Sequence, residues 1–175
     1  MKQLLILRHA KSCWDNPDLA DIERPLAKRG LRDAPTMGRA LQARGLAADL
    51  VLCSDAQRTR ETWSLLAPEW LGDKTVPFQA TRSLYMASAK ELLKLCKTTE
   101  AQVQRLMLIG HNPGLHELCL RLIGTARDPN DMTQLVRKLP TAAFVLLSFP
   151  TEQWSMLQEG TGHLELFLKP RDIQA

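Results

Sequence analysis

The side chains best placed for chemistry in this chain are Arg8, His9 and His111, and each histidine follows closely on a short apolar run. Leu4-Leu5-Ile6-Leu7 leads directly into Arg8-His9-Ala10-Lys11-Ser12. Leu106-Met107-Leu108-Ile109-Gly110 leads into His111-Asn112-Pro113-Gly114. An apolar run closed by polar residues reads as a buried strand that delivers them to its carboxyl end, where open α/β sheets bind ligands. Two histidines delivered this way imply one shared site. A neutral imidazole nitrogen can attack phosphorus and form a covalent phosphohistidine. Nearby arginines favour the neutral ring by opposing a further positive charge, and their forked donors match the oxygens of a transferring phosphoryl group. Arg8 is one such arginine. Arg58 is the second, one helical turn beyond Ser54, with Thr62 one turn further along the same face. Asn112-Pro113-Gly114 reads as a turn opening a helix, whose first amides add anion affinity beside His111 and Asn112.

The elements that must position these residues alternate between strand and helix. Residues 3–7 are expected as a first strand buried on both faces, and residues 15–25, with two prolines and four acidic side chains, as a long loop. Leu31, Ala34, Met37 and Leu41 recur at helical spacing, with Gly45 as the stop; Pro35 is awkward inside such a helix unless it lies in the first turn, which leaves the helix's start open. Residues 50–53 form a second strand, with Ser54 or Asp55 as cap for the helix after it, and 76–78 a short third strand. Ser88-Ala89-Lys90-Glu91 has the form of a capping box. The strand at 106–110 feeds a helix with Leu115, Leu118, Cys119 and Leu122 on its apolar face and Gly124 as its stop. Residues 142–149, 155–159 and 164–168 read as three closing strands, at least two paired as a hairpin. The expectation is one α/β domain over residues 1–175, three layers thick, with a largely parallel central sheet.

Composition narrows the function classes. The chain has 175 residues, 45% apolar and 24% charged, which supports a sizeable core. Its net charge of +4 favours anionic ligands, but the cations are scattered. With one Tyr and four Phe there is little material for base-stacking platforms, so nucleic acid is not expected as a partner. Cys13, Cys53, Cys96 and Cys119 form no CxxC pair, so neither a zinc site nor a redox motif is indicated. The opening apolar run is too short for a secretion signal, and no stretch is long enough to span a membrane. A cytoplasmic location is expected.

Arg8-His9-Ala10, the S-x-x-x-R-x-x-x-T pattern of Ser54, Arg58 and Thr62, and Gly110-His111-Asn112-Pro113-Gly114 resemble the histidine phosphatase superfamily, with its phosphoglycerate-mutase-like fold. Short length, Asp21-x-x-Arg24-Pro25-Leu26, Arg29-Gly30 and Leu84-Tyr85 resemble, more narrowly, the SixA-type phosphohistidine phosphatases. The resemblance implies that His9 is the nucleophile, that Arg8 and Arg58 bind phosphoryl oxygens, and that His111 stabilises the transition state with Asn112 beside it. It implies no metal and no cofactor. Ala10 stands where the superfamily usually has Gly.

A general acid is harder to place. Many relatives carry a carboxylate between the third strand and the capping box, and Arg82-Ser83-Leu84-Tyr85 has none. Asp15, Asp18, Asp21 and Glu23 on the loop after His9 are the alternatives. Without an acid an alkoxide leaves poorly, whereas the imidazole of a phosphohistidine can leave as a neutral ring. The expected substrate is therefore phosphohistidine on a partner protein. The alternatives are a small phosphomonoester such as a sugar phosphate or nucleotide, or a phosphate-binding module without turnover. His116 is expected as a packing or surface residue and His163 in a turn. Trp14 is expected either to line the substrate mouth or to cover the core.

Overall fold

In the computed structural model, which describes residues 1–173, seven strands form one continuous sheet. They are β1 (Lys2–Arg8), β2 (Leu50–Ser54), β3 (Phe78–Thr81), β4 (Arg105–Gly110), β5 (Ile123–Ala126), β6 (Phe144–Phe149) and β7 (Gly162–Leu168). Their order across the sheet is β3-β2-β4-β1-β6-β7-β5, and β6 alone runs against its neighbours. β1 is buried on both faces because its side chains alternate between two cores. Leu4 and Ile6 join one apolar cluster with Leu106, Leu108, Leu115, Leu118 and Leu135. Leu5 and Leu7 join another with Met37, Leu41, Leu66 and Ile109. Helices α1 (Lys28–Ala43) and α2 (Gln57–Leu71) thus cover one face, and α3 (Ala89–Lys97), α4 (Gly114–Leu122) and α5 (Pro129–Arg137) the other. A last turn, α6 (Pro170–Ile173), packs on α1. This is the three-layer, mostly parallel architecture expected.

The order of strands creates the site. β1 and β4 are parallel neighbours, yet the helix after β1 packs on one face of the sheet and the helix after β4 on the other. Connections that diverge from adjacent strand ends leave a crevice there. The register pairs Arg8 with Gly110, so His9 and His111 emerge side by side.

Several local expectations are corrected. Helix α1 runs through Pro35, and Leu31 lies outside its buried stripe, 48% exposed. Gly30, Ala34 and Gly38 face inward instead; a Cβ on Gly38 would stand 2.5 Å from Leu66 O, so this glycine lets α1 pack closely on α2 despite the roughly 3 kcal/mol cost of an internal proline. Neither Ser54 nor Asp55 caps α2, whose N-cap is Ala56. The third strand begins at Phe78, because its pairing with β2 is set by main-chain register and its mostly exposed side chains show no apolar pattern. Gly124 lies inside β5, at an irregularity in its pairing with β7, so α4 stops before it. Residues 155–159 are no strand. A 3-10 turn, Trp154–Met156, plugs the far end of the sheet instead, with Trp154 buried and its indole N–H donating to Val103 O at 2.7 Å. β5 and α5 went unanticipated.

Candidate active site

The site grows from the ends of three strands. β1 delivers Arg8 and His9, β4 delivers His111, and Ser54 closes β2 just ahead of α2, which carries Arg58. His9, Arg58 and His111 are buried, and the two imidazole rings lie 5.3 Å apart. Arg8 and Arg58 both act electrostatically on His9, and Asn112 shares the Leu139 carbonyl with Arg8, so the five anticipated residues are brought together.

Hydrogen bonds fix the proton positions. The His9 Nδ1–H donates to the carbonyl of Ala10 at 2.7 Å, since a carbonyl can only accept. Nε2 of His9 therefore carries the lone pair. Arg58 can only donate, so its NH2 group gives a hydrogen to His111 Nδ1 at 3.2 Å. The His111 Nε2–H then donates to Ser54 Oγ at 2.7 Å. Burial, reinforced by Arg58 and Arg8 against the opposing hydrogen bond to Ala10, pushes His9 down to about 4. Burial and Arg58 push His111 down to about 3. Both rings are neutral at pH 7.

The S-x-x-x-R-x-x-x-T row touches the site at every member. Ser54 holds His111. Arg58 reaches His111 and also donates to Asp21, at 2.7 Å to its main-chain oxygen and 3.1 Å to Oδ2. Thr62 accepts the Ala10 N–H at 3.0 Å and donates to Arg58 O, which fixes the backbone just past His9. On the other side, Arg8 NH1 donates to Leu139 O at 3.0 Å, and the Asn112 amide donates to the same carbonyl at 2.9 Å. Arg8 Nε and Asn112 Oδ1 are buried without a hydrogen-bond partner. An unpartnered buried guanidinium donor is costly unless an acceptor meets it.

Two glycines permit these approaches. A Cβ on Gly30 would stand 2.3 Å from Lys11 O, so only glycine lets α1 press on the loop after His9. A Cβ on Gly114 would stand 1.9 Å from Ala87 O, where α4 begins behind His111.

Sequence reasoning missed part of the rim. The sequence offers Asp21 as one of four loop carboxylates and as the start of a motif, without placing it against Arg58; its Oδ2 accepts from Tyr85 at 2.5 Å as well as from Arg58. The Tyr85 hydroxyl and Arg58 together hold the Asp21 carboxyl below the usual carboxylate range. Tyr85 also sets its ring edge-on to His111 at 5.5 Å. The available signal was that Tyr85 is the chain's one tyrosine and that Asp21 opens the Asp21-x-x-Arg24-Pro25-Leu26 run. Trp14 is 61% exposed and stacks under the Arg24 guanidinium at 4.0 Å, so it does not cover the core. His116 donates to Leu135 O, a packing role. His163 lies in β7, not in a turn, hydrogen-bonded to Thr125. Burial pushes the thiols of Cys53, Cys96 and Cys119 up to about 12, so none is a nucleophile at neutral pH. Among the described residues, no group of three or more His, Cys, Asp or Glu side chains is placed to hold a metal ion.

Known proteins are similar to this chain in sequence and in fold. The family model of the histidine phosphatase superfamily (branch 1) matches residues 4–84. An uncharacterized protein of Mycobacterium leprae is 31% identical over 168 residues, which cover 94% of this chain and 100% of the relative. A solved structure from Agrobacterium tumefaciens, provisionally described as the phosphohistidine phosphatase SixA, is 26% identical with a TM-score of 0.80. That likeness covers 97% of this chain and 98% of the other. The protein histidine phosphatase SixA complexed with tungstate has the same fold, with a TM-score of 0.75 at 19% identity over 98% and 99% of the two chains. Motif and topology agree: the chain belongs to the histidine phosphatase superfamily, branch 1, and its fold is similar to that of SixA structures.

Proposed function

We propose that this protein removes the phosphoryl group from phosphohistidine on a partner protein, in two steps through a phosphorylated His9. The reading rests on one observation above the rest. His9 is neutral, its Nδ1–H is tied to Ala10, and the free Nε2 lone pair sits among two arginines and a second histidine. In the first step Nε2 attacks phosphorus while the N–P bond of the substrate breaks. The electron pair of that bond stays on the departing imidazole, which leaves neutral because its other nitrogen has already taken a proton from solvent. In the second step water attacks phosphorus, the P–Nε2 bond breaks, and orthophosphate departs with the ring restored. Arg8 supplies the buried, unpartnered Nε–H to a phosphoryl oxygen, and Arg58 a second guanidinium. These fixed charges stabilise the spread of negative charge over the equatorial oxygens.

The leaving group is argued from Asp21. Among the described residues it is the carboxylate hydrogen-bonded to the pocket, and Tyr85 and Arg58 keep it ionised. An ionised carboxylate cannot donate a proton to an alkoxide. A phosphoramidate needs no such donor. The surroundings fit a protein substrate as well. Asp21 and Tyr85 reach the pocket from two separate segments, and Trp14 and Met86 on those segments are exposed to a partner.

The test compares a histidine-phosphorylated protein, p-nitrophenyl phosphate and a plain alkyl phosphate, with His9→Ala alongside. The expected pattern is fast phosphohistidine turnover, abolished in His9→Ala, and slow alkyl ester cleavage. Efficient alkyl ester cleavage would instead identify a small-molecule phosphatase. Binding with no turnover of any substrate would identify a phosphate-binding module.

A further inference from the structure

Beside the phosphoryl pocket, at the same end of the sheet, lies a second concavity of about 690 Å³. Its walls are the first turns of α1, one face of α5 from Asn130 to Arg137, residues 138–141 and the start of α6. Six cationic side chains line it: Arg29, Arg32, Arg137, Lys138, Lys169 and Arg171. The one carboxylate among the lining residues is Asp33, buried and paired with Arg29 at 3.7 Å and Arg32 at 3.4 Å. Lys169 is buried too, donating to Gln134 and paired with Asp172 at 3.1 Å, with Asp131 nearby. Arg137, Lys138 and Arg171 remain exposed along the rim, the last 3.7 Å from Asp172. The cations that scatter along the sequence are therefore concentrated in space.

The groove and the pocket share a wall. Leu139 O accepts from Arg8 and Asn112 on the pocket side, and the Ala142 N–H donates to both Arg8 O and His9 O. On the groove side, Thr141 Oγ1 accepts from Arg29 at 3.3 Å. A protein that inserts a phosphohistidine must cover the surface around it, since a standard interface takes about 800 Å² from each partner. The far side of residues 138–141 falls within such a footprint.

We infer that this groove docks an acidic face of the phosphohistidine-bearing protein, an inference that rests on the function proposed above. No aromatic side chain lines the groove, so it offers no platform for stacked bases. Nor is it built for one small anion, because its buried cation is already paired and its exposed cations are spread over separate elements. Spread, exposed charge of one sign matches an extended surface of the other and acts mainly on encounter.

The test uses Arg137→Ala/Lys138→Ala/Arg171→Ala, three exposed side chains outside the phosphoryl pocket. The probes are an acidic histidine phosphotransfer domain, phosphorylated on histidine with phosphoramidate, and free phosphohistidine. For the domain, kcat/KM falls about tenfold through KM and its salt dependence flattens. Turnover of free phosphohistidine does not change. Arg137→Glu/Lys138→Glu lowers kcat/KM for the domain further and leaves free phosphohistidine alone. Unchanged kcat/KM on both probes, or equal losses on both, overturns the docking role. So does binding of a labelled oligonucleotide that needs the three cations while turnover of the domain does not. If wild-type protein cleaves free phosphohistidine or alkyl phosphate and never the domain, the proposed function itself fails, and docking with it.

Discussion

In the proposed reaction His9 is primed by two separate devices, a hydrogen bond that selects the tautomer and burial among cations that keeps the ring neutral. The pKa values of about 4 and about 3 place the protonation of both pocket histidines well below neutrality. Carbon-13 or nitrogen-15 NMR of the labelled rings should therefore show His9 and His111 unchanged from pH 8 to pH 5.5. Titration of either near 6.5 would show a site far more solvated than the structure has it. Asp21 gives a second residue-level prediction. Because it orients Arg58 and stays ionised, Asp21→Asn should lower phosphohistidine turnover about tenfold or less, mostly through KM. A general acid would behave otherwise, with losses of about 10²–10⁴ confined to alkyl esters.

The row Ser54, Arg58, Thr62 shows how an element serves the site, since each turn of chain adds one contact to it. Thr62→Val keeps the shape and leaves the buried Ala10 N–H unpaired, at a cost of about 1–3 kcal/mol. Reduced thermal stability together with slower phosphoryl transfer is the expected outcome; full activity would show that the backbone at Ala10 needs no such anchor. Gly114→Ala drives a Cβ to 1.9 Å from Ala87 O, so α4 must shift and carry His111 with it. Its activity should fall more steeply than that of a substitution at exposed Leu120 of the same helix. The strands carrying His9 and His111 were legible because a strand buried on both faces is an uninterrupted apolar run. The edge strand β3 was legible only as a short strand at 76–78; its true span was not, because its side chains are mostly exposed. Nor was the meeting of Asp21 with Tyr85, which joins two loops through tertiary packing that no periodicity encodes.

At the scale of the whole molecule, two apolar clusters clamp the sheet while its carboxyl end gathers positive charge and neutral imidazoles. Strand order was not legible, although it decides that β1 and β4 lie adjacent; the two motifs pointed only to a shared site. The neutral histidines tie stability to pH. An unfolded ring binds a proton below its ordinary 6.5, whereas the folded rings wait until about 4 and about 3. Unfolding is thus favoured as pH falls through that window, by roughly 2 kcal/mol per ring at pH 5. Tm should decline from pH 7 to pH 5, and less so in His111→Gln; a flat Tm in the wild type would refute the linkage. The most direct measurement is to trap the enzyme during turnover of a histidine-phosphorylated protein, quench it in alkali, and map the phosphoryl group by tandem mass spectrometry and phosphorus NMR. The expected result is phosphate on Nε2 of His9. Phosphate on His111 or on the Nδ1 position, or turnover with no phosphoenzyme, would contradict it.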